Sequence, residues 1–413
     1  MLVIFLLFTI SPQALAQFDW RYYDTGGGFV DKFHPATLAA FFLITLPLLL
    51  SSNPFSATVR FVDRNADLVP YVLAIFFVLA YAAQVLGHSI TIFIETFLGP
   101  VAMFVLYSGI DDKERRTLAR LVHILLLANA ALAFYEVVSS FRLTPLVVNG
   151  EELFDEPRST SLLGHPLANA LIAGAYAIVL SIGGARDVTP SLRIPVFIVA
   201  LASLVPFGGR AATATCLLTL FAIIASKAAR FLRGESLSTM RLLRILVILP
   251  LCWLALVTTY ELGWLDTLLN RLTDDEGSAG TRIVMFELFD RFSLSELFVG
   301  PNPQELGTWT TIYGLEYGIE SFIVAFILHY GILCTLVFFP CFAYFLYLLA
   351  EATGSKTTWY VIVYFIVVAL TSVSLSSKSP ILSVFVVMAL TLLSRNADQR
   401  SPRMFDVRMP HTT

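Results

Sequence analysis

Apolar runs close to 20 residues long recur along this chain, separated by short polar stretches. About 20 apolar residues in an α-helix match the ~30 Å hydrocarbon core of a bilayer. Inside lipid, only a helix or a closed barrel satisfies every backbone N–H and C=O. A soluble core helix would need a polar outer face, and few of these runs have one. Charged residues are 14% and hydrophobic residues 57% of the 413, whereas about a quarter of a soluble domain is charged. The expected fold class is therefore all-α, a polytopic transmembrane helical protein.

The runs place spans near 2–16, 35–51, 69–87, 90–108, 118–139 and 164–182, then near 193–207, 210–227, 244–262, 319–346, 358–376 and 380–394. That is about 12 spans by the length rule. The run 319–349 is longer than a bilayer needs, which predicts tilt or a last turn in water. No long polar linker divides the chain, so 1–394 reads as a single membrane domain and 395–413 as a basic tail. MLVIFLLFTISPQALAQ has an apolar core and Ala-Leu-Ala at 14–16, like a cleavage site, but it lacks a basic n-region. It is read as a short first span rather than a cleaved signal. The cysteines Cys216, Cys252, Cys334 and Cys341 lie in apolar runs without metal-ligand spacing, which fits buried small residues. The net charge of −3 points to no nucleic acid partner.

Lys and Arg in short loops set orientation. Lys227, Arg230, Arg233, Arg241 and Arg244 crowd one loop against a single Glu235, and Arg395, Arg400, Arg403 and Arg408 fill the tail. Four spans separate the two, so both are assigned to the cytoplasm. The segments 17–34, 140–163, 207–210, 263–318 and 376–379 then face outward. The longest of these, 263–318, is the one large outer, periplasmic loop. Its stretch TRIVMFELFDRF puts Ile283, Phe286 and Phe289 on one helical face, suited to lying in the interface.

This arrangement brings Arg158, His165, Arg210, Arg282, Glu320 and Lys378 to one membrane surface. Any one of them would be unremarkable at a span end, where long side chains snorkel. As a group they suit an anion. Guanidinium groups bind phosphoryl oxygens in bidentate fashion. The spans beginning at 164, 210 and 319 also point positive N-terminal dipoles outward. A carboxylate or imidazole beside such a site takes a proton from an attacking hydroxyl. The residues thus suggest transfer chemistry, or transport, on a lipid-linked or phosphorylated anion. Glu95 is expected to pair with an arginine or to stabilise packing. Glu136 and Asn129 are expected to make interhelical polar contacts, and His88 and His123 to be structural.

Four stretches, in order, carry a family resemblance: RSTSLLGHPLANA, PFGGRAATAT, GTRIVMFELFDRFSLSELFVGPNP and GLEYGIESFIVAFILHYGI. Over about 150–390 the chain resembles the O-antigen polymerase and O-antigen ligase superfamily of bacterial envelope proteins. The resemblance implies an integral-membrane glycosyltransferase of the bacterial inner membrane, acting without metal, cofactor or nucleotide sugar. Its donor would be an undecaprenyl-diphosphate-linked oligosaccharide, with a flippase and a chain-length regulator as partners beside membrane lipid. The ligase branch carries a His in the late loop, but 263–318 has none. Glu320-Ser321 replaces a usual His-Asn, and Leu167-Ala168 follows His165-Pro166. These departures favour a repeat-unit polymerase over a ligase. On this reading Arg210 and Arg282 bind the diphosphate and Arg158 assists. Glu320 is the first choice of catalytic base and His165 the second. A structural alternative makes His165 a helix-start residue bonded to a local carbonyl. A flippase or polysaccharide exporter of the same lipid is the alternative from another class.

Overall fold

The computed structural model describes residues 1–23, 26–86, 90–148, 151–152, 158–184, 188–234, 284–315 and 318–393. Arg282, His88, the expected span 244–262 and the tail 395–413 lie outside them. The described chain is helical apart from a two-residue antiparallel ladder pairing Val147–Val148 with Glu151–Glu152. Five helices are long and apolar enough to cross a bilayer: Ala66–Leu86, Thr91–Ser108, Asp112–Ser139, Arg210–Leu232 and Phe322–Thr353. Five shorter apolar helices are Pro35–Leu49, Pro166–Ser181, Ser191–Phe207, Thr358–Ala369 and Ile381–Leu392. Large side chains such as Phe42, Leu73, Phe77, Leu218, Phe221 and Leu336 stand exposed on the outside of this bundle. In water such a surface would mark an interaction site; around a helical bundle it suits lipid.

The bundle's centre is made by Pro166–Ser181 and Ile381–Leu392. Both are buried on nearly every face. Ile381–Leu392 packs on Gly99–Ser108 and Asp112–Ser139, and Pro166–Ser181 on Arg210–Leu232, Pro190–Ala202 and Thr358–Ala369. Small residues allow the close approaches. A Cβ on Gly174 would overlap the Tyr364 ring, and one on Gly209 would overlap Ala170.

The first expected span is not one helix. Residues 2–16 form Leu2–Thr9 and Pro12–Ala16, broken where Ser11 caps the second helix through the Ala14 N–H and Pro12 occupies its first turn. Eight residues rise only ~12 Å, too little to cross a bilayer. The segment is nevertheless integral to the core, with Val3, Ile4, Leu7 and Phe8 buried.

The long run after 319 also departs from a straight span. Gly331 adopts φ 83° and ψ 164° inside Phe322–Thr353. The rings of Phe326 and Phe338 stack with centroids 4.8 Å apart, and Phe322 lies 5.4 Å from Phe339. Twelve residues of straight helix would separate the first pair by ~18 Å. The run is therefore a helical hairpin. An arm at 322–330 folds back antiparallel on a second arm, 332–353, and the second alone is long enough to span. The reversal is filled by another glycine turn. A Cβ on Gly331 would meet the backbone of Phe298, Val299 and Gly300 at 2.5–2.7 Å. Tyr81 fixes the same turn by donating to the Val299 carbonyl at 2.6 Å.

Beyond the turn, the outer segment builds a small core of its own. Met285, Leu288, Phe292, Leu297 and Leu306 pack against Val324, Ala325 and Leu328 of the first arm. The buried face is thus 285, 288 and 292. Phe286, one of the three residues expected to share an apolar face, is exposed, and Ile283 lies outside the described residues.

Gly331→Ala should lower the melting temperature of the detergent-solubilised protein by several degrees, because positive φ costs ~1–3 kcal/mol for a side chain and the Cβ meets backbone. Gly307→Ala, in a helix with open space around it, should leave it unchanged or raise it. Equal melting of the two variants would rule out the hairpin contact.

Candidate functional site

The segment RSTSLLGHPLANA is positioned by one carboxylate. Glu136, buried near the end of Asp112–Ser139, accepts four hydrogen bonds. They come from the Leu143 N–H (3.1 Å), the Ser159 hydroxyl (2.6 Å) and the N–H groups of Thr160 and Ser161 (both 3.0 Å). Asn129, two turns earlier, accepts from the Leu162 N–H through Oδ1 (2.9 Å) and from the Ser161 hydroxyl through its carbonyl (2.7 Å). Glu136 and Asn129 therefore do not bridge helices, as expected from sequence. They hold a loop whose own N–H groups have no helical partners. Ser161 sits at φ 42° within it.

The loop delivers His165 to the start of Pro166–Ser181. The ring's Nδ1 accepts the Leu167 N–H at 3.2 Å, so His165 caps the helix. The structural alternative was a bond to a carbonyl; the bond found is to an amide N–H. With Nδ1 accepting, the neutral ring carries its proton on Nε2 and is a hydrogen-bond donor. Burial, and then the charge of Arg158, hold its pKa below the ordinary range.

His34-Pro35 repeats this device. His34 Nδ1 accepts the Ala36 N–H at 3.1 Å and Nε2 donates to the Ile10 carbonyl at 2.6 Å. Its own N–H donates to Glu95 at 3.0 Å, and the Thr37 hydroxyl donates to the other carboxylate oxygen at 2.7 Å. Glu95 thus holds the start of Pro35–Leu49 by hydrogen bonds. Burial pulls His34 down to about 4.

The third element is the connection 370–380. The helices on either side, Thr358–Ala369 and Ile381–Leu392, have 12 residues each, hence ~18 Å against ~30 Å of hydrocarbon. Thr96, within the Thr91–Ser108 span, donates to the Ser377 carbonyl (3.3 Å) and accepts the Ser379 N–H (3.1 Å). Ser376 donates to the Ile319 carbonyl at 3.1 Å. Lys378 is buried, donates to the Tyr22 carbonyl at 2.7 Å and lies 4.1 Å from the centre of the Tyr22 ring. Burial draws its pKa down to about 8, against the opposing pull of Glu95.

These elements border an open cleft of about 70 Å³. Its polar walls carry Gln13, His165, Ser374, Ser377, Lys378 and Ser379, and among the described residues no Asp or Glu lines it. Arg158 directly precedes Ser159, whose N–H donates to the Pro206 carbonyl at 2.9 Å. That contact sets the 206–210 turn beside it. Arg210 is the first residue of Arg210–Leu232, next to Gly209, which abuts Ala170. Glu320 is half-buried and follows Ile319, the residue bonded to Ser376. Arg158, Arg210 and Glu320 do not line the cleft, whereas His165 and Lys378 do. Arg282 lies outside the described residues. Sequence reasoning had brought Lys378 to this face without a role; its flank of serines was the available signal. Among the described residues, no three His, Cys, Asp or Glu side chains are grouped to hold a metal ion. The described cysteines Cys216, Cys334 and Cys341 are free thiols.

Comparisons with protein-family models, with curated proteins and with solved structures find no match.

His34 gives this end of the molecule an acid dependence. Its folded pKa lies below the ~6.5 of an unfolded histidine, so between those values the unfolded chain binds more protons. Stability is full above pH 6.5, falls as pH drops towards 4 and then levels. His34→Asn keeps a capping side chain and should flatten that slope in melting curves taken from pH 7 to 4. An unchanged slope would show that His34 does not stay neutral.

Proposed function

We propose that the protein is a polysaccharide polymerase of the bacterial inner membrane, moving undecaprenyl-diphosphate-linked oligosaccharide onto a growing chain at the outer face. The orientation expected from loop charge, on a count of about 12 spans, supports a large loop and the cleft on that side. The observation that carries the reading is the cleft itself. A recess that sets serines, His165 and Lys378 in a largely apolar wall opens between apolar helices, and the charge of Arg158 acts on His165. Two helix N-termini, those of Pro166–Ser181 and Ile381–Leu392, adjoin it, and their dipoles favour an anion.

In the reaction, an acceptor sugar hydroxyl attacks the anomeric carbon of the donor. The bond from that carbon to the diphosphate oxygen breaks, and the electron pair leaves with the lipid diphosphate. Arg158, Arg210 and Arg282 hold the diphosphate and stabilise the charge that develops on it. The hydroxyl proton passes to Glu320. The Nδ1 cap on His165 makes that ring a donor to an oxygen of the bound anion rather than the base. A flippase would deliver the donor and a chain-length regulator would set the product size.

Transport of the same lipid is the second reading. It is favoured by the hairpin at Gly331 and the short helices flanking 370–380, since discontinuous helices are common at transporter binding sites.

Purified protein incubated with a lipid-diphosphate repeat unit should yield a ladder of longer glycans on a gel. Arg210→Ala should reduce the rate by about 100-fold, the scale of losing one charge-stabilising donor, at unchanged protein level. A full ladder from Arg210→Ala would remove that residue from the mechanism. No ladder from the intact protein, with lipid moving across liposomes, would establish transport instead.

A further inference from the structure

We propose that the cleft is a seat for one phosphoryl group carried on an apolar lipid tail, with Lys378 as its cation. The inference deepens the reading above, and rests on it only for the sugar chemistry.

An accounting of hydrogen-bond donors supports the phosphoryl group. An ammonium carries three N–H bonds, and Lys378 uses one, on the Tyr22 carbonyl. The Tyr22 and Phe33 rings, 4.1 and 5.7 Å away, hold the head group in place without consuming the others. His165 spends Nδ1 on the helix cap, which leaves the Nε2–H. Ser379 Oγ accepts from the Ile381 N–H at 3.3 Å, which leaves its hydroxyl hydrogen. All three residues line the cleft. Gln13 Oε1, buried and without a partner, adds an acceptor to the same wall, but a neutral sugar would leave the Lys378 charge unmatched. A phosphoryl group, with several acceptor oxygens in different directions, matches the donors.

The other walls select the carrier. Leu7, Leu163, Ile381 and Val384 line the cleft, and Leu7, Ile381 and Val384 belong to helices of the membrane bundle. A head group seated on Lys378 therefore leaves its chain against apolar side chains. A soluble phosphate would gain nothing from that wall, while a lipid gains ~0.8 kcal/mol per CH₂ buried.

Lys378 is built into this place. It is 7% exposed, in the connection between two apolar helices. Ionisable residues buried in a membrane bundle are rare and mark binding sites or pathways.

The test is binding of farnesyl phosphate, farnesol and inorganic phosphate to the full-length protein in detergent, read by calorimetry. Farnesyl phosphate should bind at least tenfold more tightly than either of the others. Lys378→Met should weaken it at least tenfold, and Lys378→Arg should stay within threefold of the native protein. Should Lys378→Met fail to fold, His165→Ser keeps a helix-capping hydroxyl, removes the Nε2–H and should weaken binding several-fold. Unchanged binding in these variants would overturn the site. Equal affinity for inorganic and farnesyl phosphate would overturn the lipid assignment. Farnesyl phosphate binding that depends on Lys378, without a glycan ladder, would sink the polymerase and leave the seat standing. A ladder together with Lys378-independent binding would do the reverse.

Discussion

Backbone amides and carbonyls left unpaired in an apolar interior cost several kcal/mol each, and this protein places irregular chain among buried apolar helices. The connection 370–380 links two apolar helices of 12 residues each. Its polar groups are met by Thr96, by the Ile319 carbonyl and by one another. Near the membrane surface, Glu136 and Asn129 do the same for 159–162. Each of these partners sits on or beside a long helix, so the loops inherit the rigidity of the bundle. The cleft exists because loops, not helices, fill this part of the molecule.

The same constraint explains the electrostatics. Two carboxylates that would be costly alone in an apolar interior, Glu95 and Glu136, each accept hydrogen bonds from backbone N–H groups and hydroxyls. They serve as anchors for the start of Pro35–Leu49 and for the segment ahead of His165. Neither lines the cleft. The positive groups Lys378 and the two adjoining helix N-termini are thus left to set its character. The hairpin at Gly331 supports one side by carrying Ile319 to Ser376, and the Val299–Gly300 turn wedges it open.

The helical membrane class, most helix positions and the gathering of His165 and Lys378 at one end were legible, because run length and loop charge follow directly from the bilayer. The reversal at Gly331 was not. The sequence stays apolar on both sides of it, and periodicity is blind to direction. Its only trace was a glycine in HYGI and a second one in VGPN, which mean something only when they meet. The break at Ser11-Pro12 had a readable signal, a serine cap followed by proline, that apolarity masked. Glu136 was noticed but given the wrong partner, because its ligands are backbone N–H groups whose exposure depends on a loop conformation. Glu320 follows Ile319, whose carbonyl accepts from Ser376, a contact that no spacing rule encodes.

The proposed function depends on the recess opening to the outer face. That opening is tested most directly by thiol accessibility in a variant with all four cysteines replaced. A single cysteine at Ser374, in sealed right-side-out vesicles, should react with a small membrane-impermeant thiol reagent, more slowly than one at exposed Gly314. Reaction only in inverted vesicles, or none of either cysteine while both react in detergent, would contradict the account.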